Sequence, residues 1–375
     1  MSVVLLLLLS ACAGDKGVLE VLDRTESLME EHPDSSYALL VECDSLMPQQ
    51  SRRTRMHHLM LVAEAANKLD FQMPSDTLFL EAVDYYDHHG TPNQQLKAHY
   101  LLGCIYRDMK EAPQAIQCYY DAVEKADTLS EDCDYTTLFS VYGQMADIFE
   151  AQIMPEEELE ALKGYSKYAL KAGNLYEHIR GYEYMVLPYN LQRDTDMVLS
   201  IEDKVYKMYK KHGFIQAAAS SHMLSMYMYI ARKDYEKAKQ LMQTFEYESG
   251  LFDKEGNISQ GREHYYHCKG LYYQGLHQLD SAEFYFKKLL NYGYSFDAYR
   301  GLMDICQEKG DMKTFFSYSK CYEASFDTLI TNIHAEATRQ TVGMYSYTRN
   351  QKLAMEKQQE ANKNRNIIYI IILSK

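Results

Sequence analysis

The 375-residue sequence contains no tryptophan, only 18 glycines and only 7 prolines. Sheets joined by many tight turns depend on glycine and proline, so this scarcity argues against an all-β fold. Positively charged residues are also fewer than negatively charged ones. The sequence has 39 Lys and Arg and 53 Asp and Glu, which gives a net charge of −14. A nucleic-acid surface needs clustered Lys and Arg, so nucleic acid is not expected as a partner.

The motifs of common catalytic sites are missing as well. The sequence has no G-x-S-x-G, no P-loop, no G-x-G-x-x-G and no H-E-x-x-H. Carboxylate-rich stretches such as "PEEELE" lie near predicted helix starts, where they favour the helix dipole. Apart from Cys12, the seven cysteines are odd in number and show no C-x-x-C spacing, which indicates neither disulfides nor zinc. We therefore predict a non-enzyme without a cofactor.

One stretch, "EHYYHC", has the residue types of a metal site. On a helix His264, His267 and Cys268 would share one side. The same residues belong to the first helix of a repeating unit, where they can simply pack. The packing interpretation is favoured, and no metal is predicted.

Two segments 167 residues apart share one spacing pattern. In the first, Leu102-Gly103 is followed by Tyr106, Ala115, Tyr119 and Ala122. In the second, Gly270 is followed by Tyr273, Ala282, Phe286 and Leu289 at the same intervals. The intervals keep these residues on one helical face. The small residues let two antiparallel helices close up, and the aromatics fill the space between them.

This pattern resembles the tetratricopeptide repeat (TPR), L-G-x2-Y followed by A-x3-F. His99 and Tyr266 hold the slot that is usually Trp, and the closing Pro is absent. Weaker copies centre on Ala238, with Met226 and Phe245, and on Thr314, with Leu302 and Cys321. The resemblance implies an all-α, right-handed TPR-like solenoid of about eight helical hairpins over residues 12–329, followed by a long C-terminal helix.

The many tyrosines divide into two groups. Those at the pattern positions are predicted to pack between helices. A minority off the pattern is predicted to line a concave groove, because tyrosine offers a large contact area with one polar tip. The candidate groove residues are Tyr120, Tyr227, Tyr265, Tyr272 and Tyr285.

The N-terminus has the layout of a secretory signal. Val3–Leu9 is apolar but too short to span a bilayer. The following Leu9-Ser10-Ala11-Cys12 resembles the bacterial lipobox, although no Lys or Arg precedes the apolar run. This predicts a signal peptide over residues 1–11 and a lipid on Cys12.

The C-terminus carries a second apolar run, Ile367–Leu373, after a polar stretch. We predict a helical stalk over residues 330–366 and the start of a truncated membrane helix over 367–375. The alternative is an apolar C-terminus that packs on the repeats.

Two hypotheses of function follow. The first is a non-catalytic scaffold on the periplasmic side of a bacterial membrane, which binds a protein or peptide segment in its groove and is anchored through Cys12. By resemblance to TPR proteins that continue into a membrane helix, it would be the sensory part of a membrane-bound regulator. The alternative is an outer-membrane lipoprotein that binds a glycan or nutrient.

Overall fold

The computed structural model describes residues Asp15–Thr331 and Ile333. In this part of the chain the secondary structure is helical, apart from a single antiparallel bridge between Phe252 and Ile258. Among the described helices, none combines the length and apolarity needed to cross a membrane. The predictions for Cys12, for residues 1–11 and for the chain beyond residue 333 lie outside the described residues.

The chain divides into two compact units, with the boundary between Ile148 and Phe149. The first unit contains α1 (Asp15–Leu28), α2 (Pro33–Cys43), a 3₁₀ helix (Asp44–Gln49), α3 (Arg52–Leu69), α4 (Asp76–His89), α5 (Pro92–Asp108), α6 (Ala112–Lys125) and most of α7 (Tyr135–Ala151). The second contains α8 (Pro155–Lys171), α9 (Leu175–Tyr184), α10 (Val186–Leu191), α11 (Thr195–Lys211), α12 (Ile215–Ser220), α13 (Met223–Ala231), α14 (Tyr235–Glu248), α15 (Tyr265–Gly275), α16 (Leu279–Leu290), α17 (Ser295–Lys309) and α18 (residues 312–331).

Short polar side chains set many helix starts. Ser51, Ser75 and Thr91 accept hydrogen bonds from backbone N–H groups in the first turns of α3, α4 and α5. At α5 the cap is reciprocal, because the Gln94 side chain accepts from the Thr91 backbone N–H. These bonds satisfy donors that a helix start leaves unpaired.

The described helices form eight successive pairs of a first and a second helix. Direct contacts join α1 with α2, α3 with α4, α5 with α6 and α15 with α16. In two pairs the first helix is divided, so that α11 contacts both α9 and α10, and α14 contacts both α12 and α13. The rings of Phe296 and Tyr322 stack at 4.8 Å between α17 and α18. The prediction of an all-α fold with about eight hairpins is confirmed.

The predicted packing pattern holds at both strong repeats. A Cβ atom added to Gly103 would lie 2.3 Å from Cε1 of Tyr119, and one added to Gly270 would lie 2.6 Å from Cε1 of Phe286. Hence only glycine lets these helices approach so closely. Most of the other predicted packing residues are buried: Leu102, Ala115, Tyr119, Ala122, Ala238, Ala282 and Phe286. Tyr106 and Tyr273 are partly buried against the core clusters.

Seven of the hairpins have the same type of turn between their two helices. A residue in the left-handed backbone conformation follows each first helix. The N–H of the residue after it donates to the carbonyl oxygen five positions before that donor, as from Glu111 to Tyr106 and from Gln278 to Tyr273. The left-handed residues are Asp70, Lys110, Ile153, Arg193, Lys233, His277 and Gly310. In the last hairpin this turn places Met303 and Phe315 at the positions of Gly103 and Ala115. Leu302, the predicted packing residue, is nevertheless buried in one core cluster with Phe286 and Ile305.

The two divided first helices were not predicted. Between α9 and α10 the cause is Pro188, because its ring nitrogen cannot donate to Tyr184 and its ring crowds that carbonyl. Between α12 and α13 the helix breaks at Ser221 and His222. There the buried carboxylate of Glu202 on α11 accepts bonds from the N–H groups of Leu224 and Ser225, at 3.0 and 2.7 Å, and caps the new start.

Candidate functional site

The first helices of neighbouring hairpins lie side by side. In the first unit α3 contacts both α1 and α5, and in the second unit α15 contacts both α13 and α17. Their adjoining side chains form a polar surface in each unit, which we call the unit-1 face and the unit-2 face.

Cross-helix ion pairs and hydrogen bonds build the unit-1 face. His57 Nε2 lies 3.2 Å from Glu26 Oε2, joining α3 to α1. Lys97 Nζ lies 3.0 Å from Glu64 Oε2, joining α5 to α3. Arg107 extends the row by donating to Asn67 at 3.0 Å and to Gln144 at 2.7 Å. Each contact fixes one first helix against the next.

A cleft of about 290 Å³ opens within the unit-1 face. Its lining combines charged and apolar groups: Glu26, His57, Met60, Leu61, Glu64, Tyr86, Asn93, Gln94, Lys97 and Asp134. Burial opposes the charge on Lys97, but the carboxylates of Glu64, Glu26 and Asp134 outweigh it and raise the pKa of its ammonium. The cleft thus offers fixed charges, amides and apolar contact area within a few residues.

The unit-2 face centres on the hydroxyl of Tyr227. This oxygen lies 3.0 Å from His264 Nδ1 and 3.3 Å from His267 Nδ1, and it donates to the His264 carbonyl oxygen at 3.2 Å. On its other side, His264 Nε2 lies 3.2 Å from Asp297 Oδ2. These hydrogen bonds therefore form one continuous polar network across α13, α15 and α17.

One histidine of this hydrogen-bonded network, His267, has a strongly shifted pKa. Burial and the neighbouring His264 lower the pKa of His267 to about 4, so its imidazole is neutral at pH 7. The hydrogen bond from His264 lowers the pKa of the Asp297 carboxyl. Cys268, the third residue of the "EHYYHC" stretch, is fully buried. The structure thus uses the two histidines as hydrogen-bonding partners of Tyr227.

Elsewhere in the described residues, three side chains that could bind a metal ion lie close together. The ligand atoms of Asp23, Glu26 and His57 are all within 4.8 Å of one another. In this group the closest carboxylate oxygens approach opposite ring nitrogens of His57, with Asp23 3.9 Å from Nδ1 and Glu26 3.2 Å from Nε2. The imidazole therefore bridges the two carboxylates.

The candidate groove tyrosines have different surroundings. Tyr227 lies at the centre of the unit-2 face. Tyr120 is 47% exposed on α6, a second helix. Tyr265 is a core residue instead of a groove residue, because it is fully buried and its hydroxyl donates to Glu246 at 3.0 Å.

The last two tyrosines lie where α14, α15 and α16 meet. Tyr272 is nearly buried and lines a cleft of about 400 Å³ with Tyr235, Glu246 and Lys269. The ring of Tyr285 stacks on Tyr273 with 5.5 Å between centroids. Within the second unit, the structure does not bring the four predicted tyrosines together on one surface.

Sequence reasoning named Tyr227 as a groove residue and considered His264 and His267 only as metal ligands or packing residues, and it missed the charged members of the unit-1 face. Lys97 and His264 each lie six residues before the packing glycine, Gly103 or Gly270, and Tyr100 and His267 lie three before it. Arg107 lies four after Gly103, and Gln274, whose side chain hydrogen-bonds Asp304 on α17, lies four after Gly270. The same repeat spacing that identified the core positions therefore also marks the face positions.

Neither a protein-family model nor a curated protein sequence matches this chain significantly. Solved structures do match. The apo form of RapI superimposes with a TM-score of 0.63 at 13% identity, over 84% of this chain and 98% of that chain. Aspartyl phosphate phosphatase F from Bacillus subtilis matches with a TM-score of 0.50 at 13% identity, over 82% of this chain and 79% of that chain. The chain thus has a TPR-like helical-repeat fold.

Proposed function

We propose that this protein is a non-catalytic scaffold that binds a protein or peptide segment along its first-helix faces. The observation that supports this most directly is the repeated placement of polar side chains six residues before and four residues after a packing glycine. Because neighbouring first helices are in contact, these side chains form one surface per unit. Repeat folds use such extended surfaces for binding.

The chemistry of the faces suits a peptide. A peptide backbone needs both donors and acceptors, and its side chains need apolar contact. The unit-1 cleft supplies the amides of Asn93 and Gln94, the charges of Glu64 and Lys97, and the apolar surface of Met60. The unit-2 face adds the side chain of His264, which is 42% exposed.

We further propose that the protein works at the bacterial cell envelope, on the periplasmic side, as the sensory part of a membrane-bound regulator. The support is the sequence Leu9-Ser10-Ala11-Cys12 and the C-terminal apolar run. A lipid on Cys12 combined with a membrane helix would anchor the chain stably. Incorporation of a labelled fatty acid in bacteria, compared between the unchanged chain and Cys12→Ala, tests the lipid; unchanged labelling of Cys12→Ala would refute it.

Selection from a random peptide display library on the purified full chain tests the binding proposal. Selected peptides should bind Lys97→Gln or His264→Gln at least about fivefold more weakly than the unchanged protein. The matched controls are Lys287→Gln on α16 and His277→Gln at a hairpin turn, both exposed. Circular dichroism verifies that each variant is folded. Failure to enrich any peptide, or equal effects of face and control variants, would contradict the proposal.

A further inference from the structure

The cleft of about 400 Å³ in the second unit lies between α14, a second helix, and α15, the first helix of the next hairpin. This volume is within the range of ligand pockets. The cleft is lined by three tyrosines, two apolar side chains and six side chains that carry a charge or an amide. The polar network of the unit-2 face uses different residues, so this cleft is a separate site.

Ring contacts hold the three tyrosines of the cleft in place. Gly275 makes room for Tyr235, because a Cβ atom at Gly275 would lie 2.5 Å from Cε1 of that ring. Tyr235 meets Tyr272 edge to face with 6.2 Å between centroids, and Tyr272 meets Tyr273 in the same way at 5.4 Å. Tyr273 in turn stacks on Tyr285. The cleft therefore has an aromatic wall whose rings are already ordered, which lowers the cost of binding a ligand.

A row of polar side chains on α14 forms another wall. Glu236, Lys239, Gln243 and Glu246 follow one another at intervals of three, four and three residues, which places them on one face of the helix. The first three are exposed, and within the described part of the chain they have no hydrogen bond or ion pair with another side chain. These three groups can therefore bond to a ligand in the cleft.

The fourth member of the row is held in an ion pair. Glu246 Oε1 accepts hydrogen bonds from the Lys269 ammonium at 2.6 Å and from the Tyr265 hydroxyl at 3.0 Å. Burial opposes the charge on Lys269, but Glu246 outweighs this effect and raises the pKa of the ammonium. The cleft is thus lined by two positive side chains, Lys239 and Lys269, and by two negative ones, Glu236 and Glu246. Because these charges cancel, the lining favours a ligand without net charge.

We propose that this cleft binds a neutral carbohydrate. A sugar ring has apolar C–H faces, which pack on tyrosine rings, and hydroxyl groups around its edge. Each hydroxyl both donates and accepts hydrogen bonds, so one class of ligand can pair with the Glu236 carboxylate, the Lys239 ammonium and the Gln243 amide. Carbohydrate binding in this cleft is independent of peptide binding by the first-helix faces.

An array of neutral, acidic and amino mono- and oligosaccharides, probed with the purified full chain, identifies the sugars that bind. Isothermal titration calorimetry with the best-binding sugar then compares two variants. Gln243→Ala removes a polar group from the cleft, and Gln240→Ala removes the same kind of side chain from α14 outside the cleft lining. Both glutamines are exposed, so neither change should disturb folding, which circular dichroism verifies.

We expect neutral sugars to bind, Gln243→Ala to weaken binding of the titrated sugar at least about fivefold, and Gln240→Ala to weaken it less than about twofold. Failure of every neutral sugar to bind, or binding of acidic or amino sugars alone, would overturn the proposal. Equal losses in the two variants would also overturn it, since the sugar would then bind elsewhere. A display-selected peptide that loses affinity in Gln243→Ala, when no sugar binds, would assign the cleft to peptide binding instead.

Discussion

The ring of Phe286 occupies the space that a side chain on Gly270 would need. A Cβ at Gly270 would lie 2.6 Å from Phe286 Cε1, and one at Gly301 on the next first helix would lie 2.5 Å from the same atom. A single buried ring therefore packs between two glycines from successive hairpins. This arrangement links the repeat spacing in the sequence directly to the stacking of helices α15, α16 and α17.

Substituting Gly270 by alanine should destabilise the second unit by about 1–3 kcal/mol, because the added methyl group overpacks the contact with Phe286. The measurement is the free energy of unfolding in urea. Phe286→Leu supplies the control, since Gly270→Ala in that background should cost clearly less. Equal costs in both backgrounds would show that the ring contact is not the cause.

Substituting Ile153 by glycine should stabilise the protein by about 0.5–1 kcal/mol. Ile153 is a β-branched residue with φ of 57°, a left-handed conformation that favours glycine, and it is 70% exposed, so little packing is lost. Thermal unfolding measures the effect. Leu170→Gly, also exposed but inside the last turn of α8, should instead destabilise; stabilisation by both changes would refute the explanation.

The buried imidazole of His267 should make stability fall in acid. Burial and His264 lower its pKa from 6.5 to about 4. The unfolded chain therefore takes up a proton before the folded chain does, and stability is complete above pH 6.5 and lost as the pH falls towards 4. Urea unfolding between pH 4 and 7 should show a shallower decline for His267→Gln. An unchanged pH dependence relative to His277→Gln would contradict this.

Glu202 should make the folding stability change with pH in the opposite direction to His267. Burial raises the pKa of this carboxyl to about 7, with the nearby Glu183 adding to the effect, although the bonds from Ser225 and Leu224 work against it. The folded chain thus holds this proton more tightly than the unfolded chain. Its contribution is greatest below pH 4.5 and is lost as the pH rises to about 7.

Urea unfolding of Glu202→Gln between pH 5 and 8 measures this contribution. The difference in stability between the unchanged protein and the variant should shift by ~1 kcal/mol or more across this interval, in favour of the variant at high pH. A difference that stays constant with pH would show that Glu202 titrates as in an unfolded chain.

The repeat spacing was sufficient to predict the all-α fold, the number of hairpins and the packing of Gly103 and Gly270 against aromatic rings. The repeat spacing did not predict the two places where a local feature interrupts a first helix. Pro188 divides one first helix, and Glu202, distant in sequence from Ser225, caps the break in another. A side chain from another helix cannot be found by spacing alone.

The site was predicted less well than the fold. Choosing tyrosines that lie off the repeat pattern selected Tyr265. This residue is buried, because the hydrogen bond from its hydroxyl to Glu246 makes burial of the hydroxyl possible. The better signal was positional. Residues at fixed distances from the packing glycine, such as Lys97 and His264, reach the faces whatever their type.

The most direct test of the proposed binding surface is photo-crosslinking of a display-selected peptide to the full chain, with the modified residues identified by mass spectrometry. Binding along the first-helix faces predicts crosslinks on α3 and α5 near Lys97, or on α13, α15 and α17 near Tyr227. Crosslinks confined to second helices such as α6 or α16 would contradict it.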